Sequence, residues 1–143
     1  MFLFIHVAFF DLCYVAFFDL CYGCNNARTS KILSIICSSL LRAGLGRYGD
    51  PVHPDGDLLA MRTAMCMLRP GGLLFLSVPV GPDVVVWNLH RRYGEVRLPH
   101  LLYGWDVLDV VGWNQEKLTA DANWRRSYEP IFVLRAPAAR DEL

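Results

Sequence analysis

Two continuously apolar runs in the middle of the chain place the strongest limit on its fold. Ile32–Cys37 is short and rich in β-branched residues, and Leu73–Pro79 is a second run of the same kind. Runs of this length and composition are typical of strands that are covered on both faces of a parallel sheet. Both runs are therefore predicted to be buried strands.

A helix is predicted between the two strands, after an irregular loop over Gly44–Pro51. Asp55 or Asp57 can cap its start, and Pro70-Gly71-Gly72 is predicted to end it. Its apolar positions follow helical spacing; they are Leu58, Met61, Met65 and Leu68. The segment thus reads as strand, loop, helix and strand, which is one right-handed parallel unit.

The second half of the sequence predicts strands without long helices. Leu98–Leu102 is typical of a short helix, Trp105–Trp113 alternates apolar and acidic residues, and Ile131–Leu134 predicts a last strand. Two successive strands with no amphipathic helix between them favour an antiparallel pair at the sheet edge. The expected fold class is α/β, with a partial Rossmann-like, mostly parallel sheet over residues 31–136 that ends in this pair.

An apolar segment, residues 1–30, precedes this domain, and residues 137–143 form a tail. The segment holds a tandem octapeptide, Val7–Tyr14 repeated as Val15–Tyr22, and residues 1–24 carry no Lys or Arg. Asp11 and Asp19 argue against a stable membrane span, because each costs ~2.5–3.5 kcal/mol near a bilayer centre. A signal, an anchor that contacts the membrane, and a poorly packed extension remain alternatives.

Localisation follows from both chain ends. The sequence ends in Arg140–Leu143, which resembles an endoplasmic reticulum retrieval address. Such an address acts only after entry into the lumen, so the expected location is cytoplasmic, with the endoplasmic reticulum as the alternative.

Charge and cysteine content exclude two classes of site. The 143 residues contain 14 Lys and Arg against 14 Asp and Glu, so the excess of basic charge that a nucleic-acid binder uses is missing. The five cysteines form no framework, and Cys21 and Cys24 have neither a second pair nor a redox context. We therefore expect no nucleic-acid partner and no metal site.

Several separate motifs carry a resemblance to a known family. They are Gly44-Leu-Gly-Arg-Tyr-Gly-Asp-Pro51, Gly56-Asp57-Leu58, Pro70-Gly-Gly-Leu-Leu-Phe-Leu76, Val78-Pro-Val-Gly81 and Trp87-Asn-Leu-His-Arg91. Over about residues 32–135 the chain resembles the methyltransferase-related family 268 of the domains of unknown function. The helix, the strand after it and the terminal strand pair resemble the C-terminal half of class I S-adenosylmethionine-dependent methyltransferases.

The resemblance implies methyl transfer from S-adenosylmethionine to a small or glycan-related acceptor in the complete fold. The glycine turn and the acidic residue that hold the cofactor there are missing from this sequence, so no cofactor is expected for this chain. Leu41-Arg42 stands where the family carries a Glu-His pair, which removes a candidate for proton transfer. The expectation is a methyltransferase-like protein that is inactive as this chain; the alternative is a non-catalytic interaction module or pseudoenzyme.

Polar residues that follow the two predicted parallel strands are the candidate site, because such loops form the ligand crevice of open α/β sheets. The predicted ligand is a small anion or a sugar-like molecule. The substrate-binding candidates are Arg47, Tyr48, Asn88, Arg91 and Tyr93, and the catalytic candidates are His90, as proton acceptor, and Asp50. The alternative makes Asp50 and His90 structural loop residues. Self-association through an exposed sheet edge is a further expectation.

Overall fold

The structure of the protein is a computed structural model, which describes residues 31–36, 42–47, 49–120 and 128–138. The elements in chain order are β1 (Lys31–Ile36), α1 (Gly56–Met67), β2 (Leu68–Ser77), β3 (Val84–Val86), β4 (His90–Arg92), α2 (Arg97–Leu101), β5 (Asp106–Val111), a 3-10 helix (Gln115–Leu118) and β6 (Ile131–Arg135). The predictions for residues 1–30, for Leu41 and for Arg140–Leu143 lie outside the described residues.

The main sheet has four strands in the order β1-β2-β6-β5. β1 is parallel to β2, whereas β6 is antiparallel to both β2 and β5. β3 and β4 form a separate antiparallel hairpin. The predicted antiparallel pair of terminal strands is therefore present as β5 and β6.

The prediction of a mostly parallel, Rossmann-like sheet is wrong, because antiparallel pairings outnumber the parallel one among the described strands. A parallel neighbour needs a crossover connection of a dozen or more residues, usually a helix. β1 and β2 have such a connection in α1. In the described chain after β2, the longest helix is the five-residue α2, so the later strands pair antiparallel.

The boundary between α1 and β2 also differs from the prediction. The helix ends at Met67, and Pro70-Gly71-Gly72 lies inside β2. There the pairing with β1 is irregular, since Lys31 lies opposite Leu68 and Leu33 opposite Leu73. Gly71 has a φ of +75°, which is costly for other residues, so these glycines form a bulge in a strand and do not terminate the helix.

The core lies between α1 and one face of the sheet. Leu74 and Leu76 of β2 and Leu134 of β6 are fully buried there, together with Met61 of α1. The predicted apolar face of the helix is present in part: Met61 is buried and Leu58 and Met65 are partly buried, whereas Leu68 lies in β2. Within the described ranges, no helix has the length and apolar character needed to cross a bilayer.

Candidate functional site

Two segments that are distant in sequence lie against each other. One is the loop over residues 42–50 that follows β1, and the other is the β3–β4 hairpin, Val84–Arg92. Arg47 Nη1 donates to the main-chain oxygen of Asn88 at 3.1 Å, and Arg91 Nη1 donates to that of Ala43 at 2.6 Å. The structure thus brings together the two groups of residues that the sequence singled out.

Arg91 is buried, with 3% of its surface exposed. Besides Ala43, its guanidinium donates to the main-chain oxygens of His53 and Pro54, at 3.3 and 3.2 Å. All three acceptors lie in the connection between β1 and α1. Arg91, on β4, therefore ties Ala43 to His53 and Pro54 within the described part of this connection.

Asp50 stabilises the same loop through a buried hydrogen bond. Its Oδ2 accepts the backbone N–H of Gly44 at 2.7 Å, and its side chain is buried. Gly44 has a φ of +76°, and a Cβ at this position would collide with the main-chain oxygen of His53. The glycine is needed for loop packing, and its N–H is already used within the loop.

Tyr93 belongs to a buried cluster around Asp57. Its hydroxyl donates to Asp57 Oδ2 at 3.1 Å. Burial, followed by the charge of Asp57, raises the pKa of Tyr93 well above its ordinary value of 10.0, so the hydroxyl stays protonated. A phenol held in this way can donate a hydrogen bond.

Arg97 is the principal partner of Asp57. Its Nη2 and Nε donate to Asp57 Oδ1 and Oδ2 at 2.6 and 3.2 Å, and its Nη1 donates to Asp55 Oδ1 at 3.0 Å. Arg91 Nε lies 3.8 Å from Asp57 Oδ1. Two guanidinium groups and a phenol thus surround one carboxylate, which is the kind of pairing that burial of a charge requires.

Sequence reasoning treated Asp57 only as a helix cap and did not consider Arg97. A signal for the buried cluster was present, because Asp57 shares the helical face of Ala60, Met61 and Ala64, which are all buried. A carboxylate on an apolar helix face needs a buried cation as its partner. Neither Asp55 nor Asp57 makes a side-chain capping hydrogen bond to α1; the N-cap is Asp55.

His90 is half-buried at the start of β4 and faces a predominantly positive environment. Burial, together with the nearby charges of Arg92, Arg42 and Arg47, lowers the pKa of His90 below its ordinary value of 6.5, and Glu129 opposes this shift. The imidazole is therefore neutral at pH 7 and can accept a proton or a hydrogen bond.

Asn88 forms the turn of the hairpin. Its φ is +54°, in the left-handed region that asparagine tolerates better than most residues, and its side chain is exposed. The preceding residue, Trp87, is 66% exposed. Tyr48, the remaining candidate, lies outside the described residues. Among the residues that the structure does describe, no group of three or more His, Cys, Asp or Glu side chains could hold a metal ion.

The protein is thus a mixed α/β domain in which hydrogen bonds join a loop that carries Arg42 and Arg47 to a β-hairpin that ends in Arg91 and Arg92. The family described as "Caenorhabditis protein of unknown function, DUF268" matches residues 17–130, and the chain belongs to this family. No curated protein gives a significant match to the chain. The family description names no activity.

Proposed function

We propose that this domain is a methyltransferase-like, non-catalytic binding module for a small acidic sugar or a similar anion. The ligand lies between the loop over residues 42–50 and the β3–β4 hairpin. The methyltransferase likeness is supported by the order of α1, β2 and the antiparallel pair β5 and β6, because the resemblance rests on a helix, a strand and a terminal strand pair in this order. The charge of the loop and hairpin supports the anion.

The choice of an anion as the ligand rests on the charges around His90. Among the residues that the structure describes, the positive charges of Arg42, Arg47 and Arg92 and the negative charge of Glu129 act on His90, and the positive charges have the larger effect. The excess of positive charge favours an anionic ligand at this edge of the domain. Because a neutral imidazole gains a proton more readily beside an anion, His90 would strengthen the binding.

Different residues serve different parts of the ligand in this proposal. Arg47 is exposed and pairs with the anionic group, and the exposed amide of Asn88 bonds to hydroxyl groups. Arg91 and Tyr93 act as positioning residues, since both are buried in contacts to the loop and to Asp57. Asp50 positions the loop in the same way.

The described residues do not fit S-adenosylmethionine. A glycine-rich cradle must leave backbone N–H groups and space open toward the cofactor. Here the Gly44 N–H bonds to Asp50, and the space where a side chain of Gly44 would lie is filled by His53 and Gly56. Methyl transfer is therefore not part of the function proposed for this domain.

Calorimetric titration of the full chain with D-glucuronate, and with D-glucose as its neutral counterpart, tests the proposal. We expect D-glucuronate to bind and D-glucose to bind much more weakly. Arg47→Ala should weaken D-glucuronate binding by roughly ten-fold or more, because a charge-assisted hydrogen bond contributes ~1.5–3 kcal/mol. Arg62→Ala, on an exposed position of α1, is the matched control and should leave the affinity unchanged. Equal binding of both sugars, or equal losses in both variants, would refute the proposal.

A further inference from the structure

The β3–β4 hairpin exposes apolar side chains that contribute nothing to the core. Val85 is 61% exposed and Trp87 is 66% exposed, and Val84 is also open to solvent. On the neighbouring loop, Val52 is exposed as well, beside Gly46. Large apolar side chains that cluster on a surface indicate an interaction site.

Positive charge lies next to these apolar side chains. Arg47 reaches the hairpin turn through its hydrogen bond to the main-chain oxygen of Asn88, and the charges of Arg42 and Arg92 extend to His90 on the adjacent strand. Asp83 precedes the hairpin, and its carboxylate accepts the backbone N–H groups of Gly94, Val96 and Arg97. Among the described residues, Glu129 adds a negative charge that acts on His90. The hairpin thus combines the exposed apolar side chains of Val85 and Trp87 with an exposed arginine at its turn.

A second exposed apolar patch has the opposite charge and provides an internal comparison. Val107, Leu108 and Val111 of β5 are each about half exposed. Asp106 and Asp109 lie among them in the strand and are also exposed; Asp106 pairs with Arg135. An anionic partner would avoid β5 and favour the hairpin, although both surfaces are apolar.

We propose that the β3–β4 hairpin docks on the surface of a bilayer that contains anionic lipids. Trp87 and Val85 enter the interfacial region, where tryptophan is favoured, and Arg47 contacts the lipid phosphates. The protein lies on the membrane through this contact and does not span it. The inference rests on the proposed function, because the same arginine contacts the anion in both cases.

Vesicle flotation of the full chain tests this docking, with phosphatidylcholine vesicles compared with vesicles that also contain phosphatidylserine. We expect binding to the anionic vesicles that falls as salt rises, since the charges act through screened electrostatics. The double variant Val85→Ser/Trp87→Ala should bind them at least roughly ten-fold more weakly, because two exposed apolar side chains no longer enter the interface. The matched control, Val107→Ser/Leu108→Ser in β5, should bind like the native chain.

Tryptophan fluorescence gives an independent reading. We expect a blue shift with anionic vesicles that is missing in Trp87→Phe, since that variant lacks the inserted indole. A melting curve for each variant confirms that it is folded. Equal vesicle binding by the hairpin and β5 variants, or binding to both kinds of vesicle without preference, would overturn the proposal.

Three further results distinguish membrane docking from the proposed function and from self-association of the protein. If D-glucuronate binds through Arg47 while the hairpin variant still binds vesicles like the native chain, the docking fails and the proposed function stands. If D-glucuronate does not bind at all, the proposed function itself fails. If lipid-free protein self-associates in sedimentation and Trp87→Ala abolishes this, the hairpin binds a second copy, which also overturns the lipid proposal.

Discussion

Arg97 donates two hydrogen bonds, of 2.6 and 3.2 Å, to the carboxylate of Asp57, which lies 40 residues earlier in the sequence. Asp57 has no exposed surface, whereas the Arg97 side chain remains 26% exposed. The pair joins the first turn of α1 to the start of α2, and both of these flank the hairpin and loop of the candidate site. Its integrity should therefore decide whether the site is assembled.

Replacement of Asp57 by Asn should destabilise the domain by about 3 kcal/mol or more, because it removes the buried negative charge that Arg97 and the buried Arg91 face. Urea denaturation measures the loss. Asp106→Asn is the matched control, since it breaks the exposed pair with Arg135, and exposed pairs contribute only ~0–1 kcal/mol. Similar losses for the two variants would show that the buried cluster has no special role.

Arg91→Ala should lower the melting temperature. The sequence places Arg91 among the substrate-binding candidates, and such a residue would affect ligand binding more than stability. The structure changes the expectation, because Arg91 is buried and donates to three main-chain oxygens that would lose their partner. The free energy of unfolding is expected to fall by about 2–4 kcal/mol, because these carbonyl groups are left unsatisfied. Thermal unfolding measures it, and a melting temperature like that of the native chain would contradict the role assigned to Arg91.

Local patterns predicted the positions of elements better than the pairing of strands. The strand β2, the short helix α2 and the terminal strands lie close to where apolar periodicity placed them, and both the parallel β1–β2 pair and the antiparallel β5–β6 pair were predicted. The antiparallel pairing of β2 with β6 was not, because it joins strands that are distant in sequence, which a local pattern does not contain. The same holds for the site: the sequence placed the Gly44–Pro51 loop and the polar residues 88–93 together but did not predict the β3–β4 hairpin. Burial of Arg91 depends on the carbonyl groups of Ala43, His53 and Pro54, which no motif marks.

The folding stability should fall as the pH drops below 6.5, in part because of His90. The pKa of His90 is lowered in the folded protein, so between that value and 6.5 the unfolded chain binds more protons, and acid favours unfolding. Above 6.5 both states are neutral at this residue and the contribution vanishes. Denaturation at a series of pH values should show a shallower acid loss for His90→Asn than for the native chain. A steeper loss in the variant would reverse the assigned direction.

S-adenosylmethionine should show no saturable binding to the 143-residue chain. The glycines at 44 and 46 are committed to the packing of their own loop, and the sequence before β1 holds no Gly-x-Gly turn. Calorimetry at millimolar cofactor is the measurement. One-to-one binding of S-adenosylmethionine would favour a methyltransferase over a non-catalytic binding module.

The protonation of His90 gives the most direct test of the anion site. We would follow its ring protons by NMR through a pH titration, with and without saturating D-glucuronate. We expect D-glucuronate to raise the pKa of His90, because a bound carboxylate favours the imidazolium. We expect Arg47→Ala to raise it in the ligand-free protein, because a neighbouring positive charge is removed. A pKa of His90 that stays the same at saturation would contradict the proposed site.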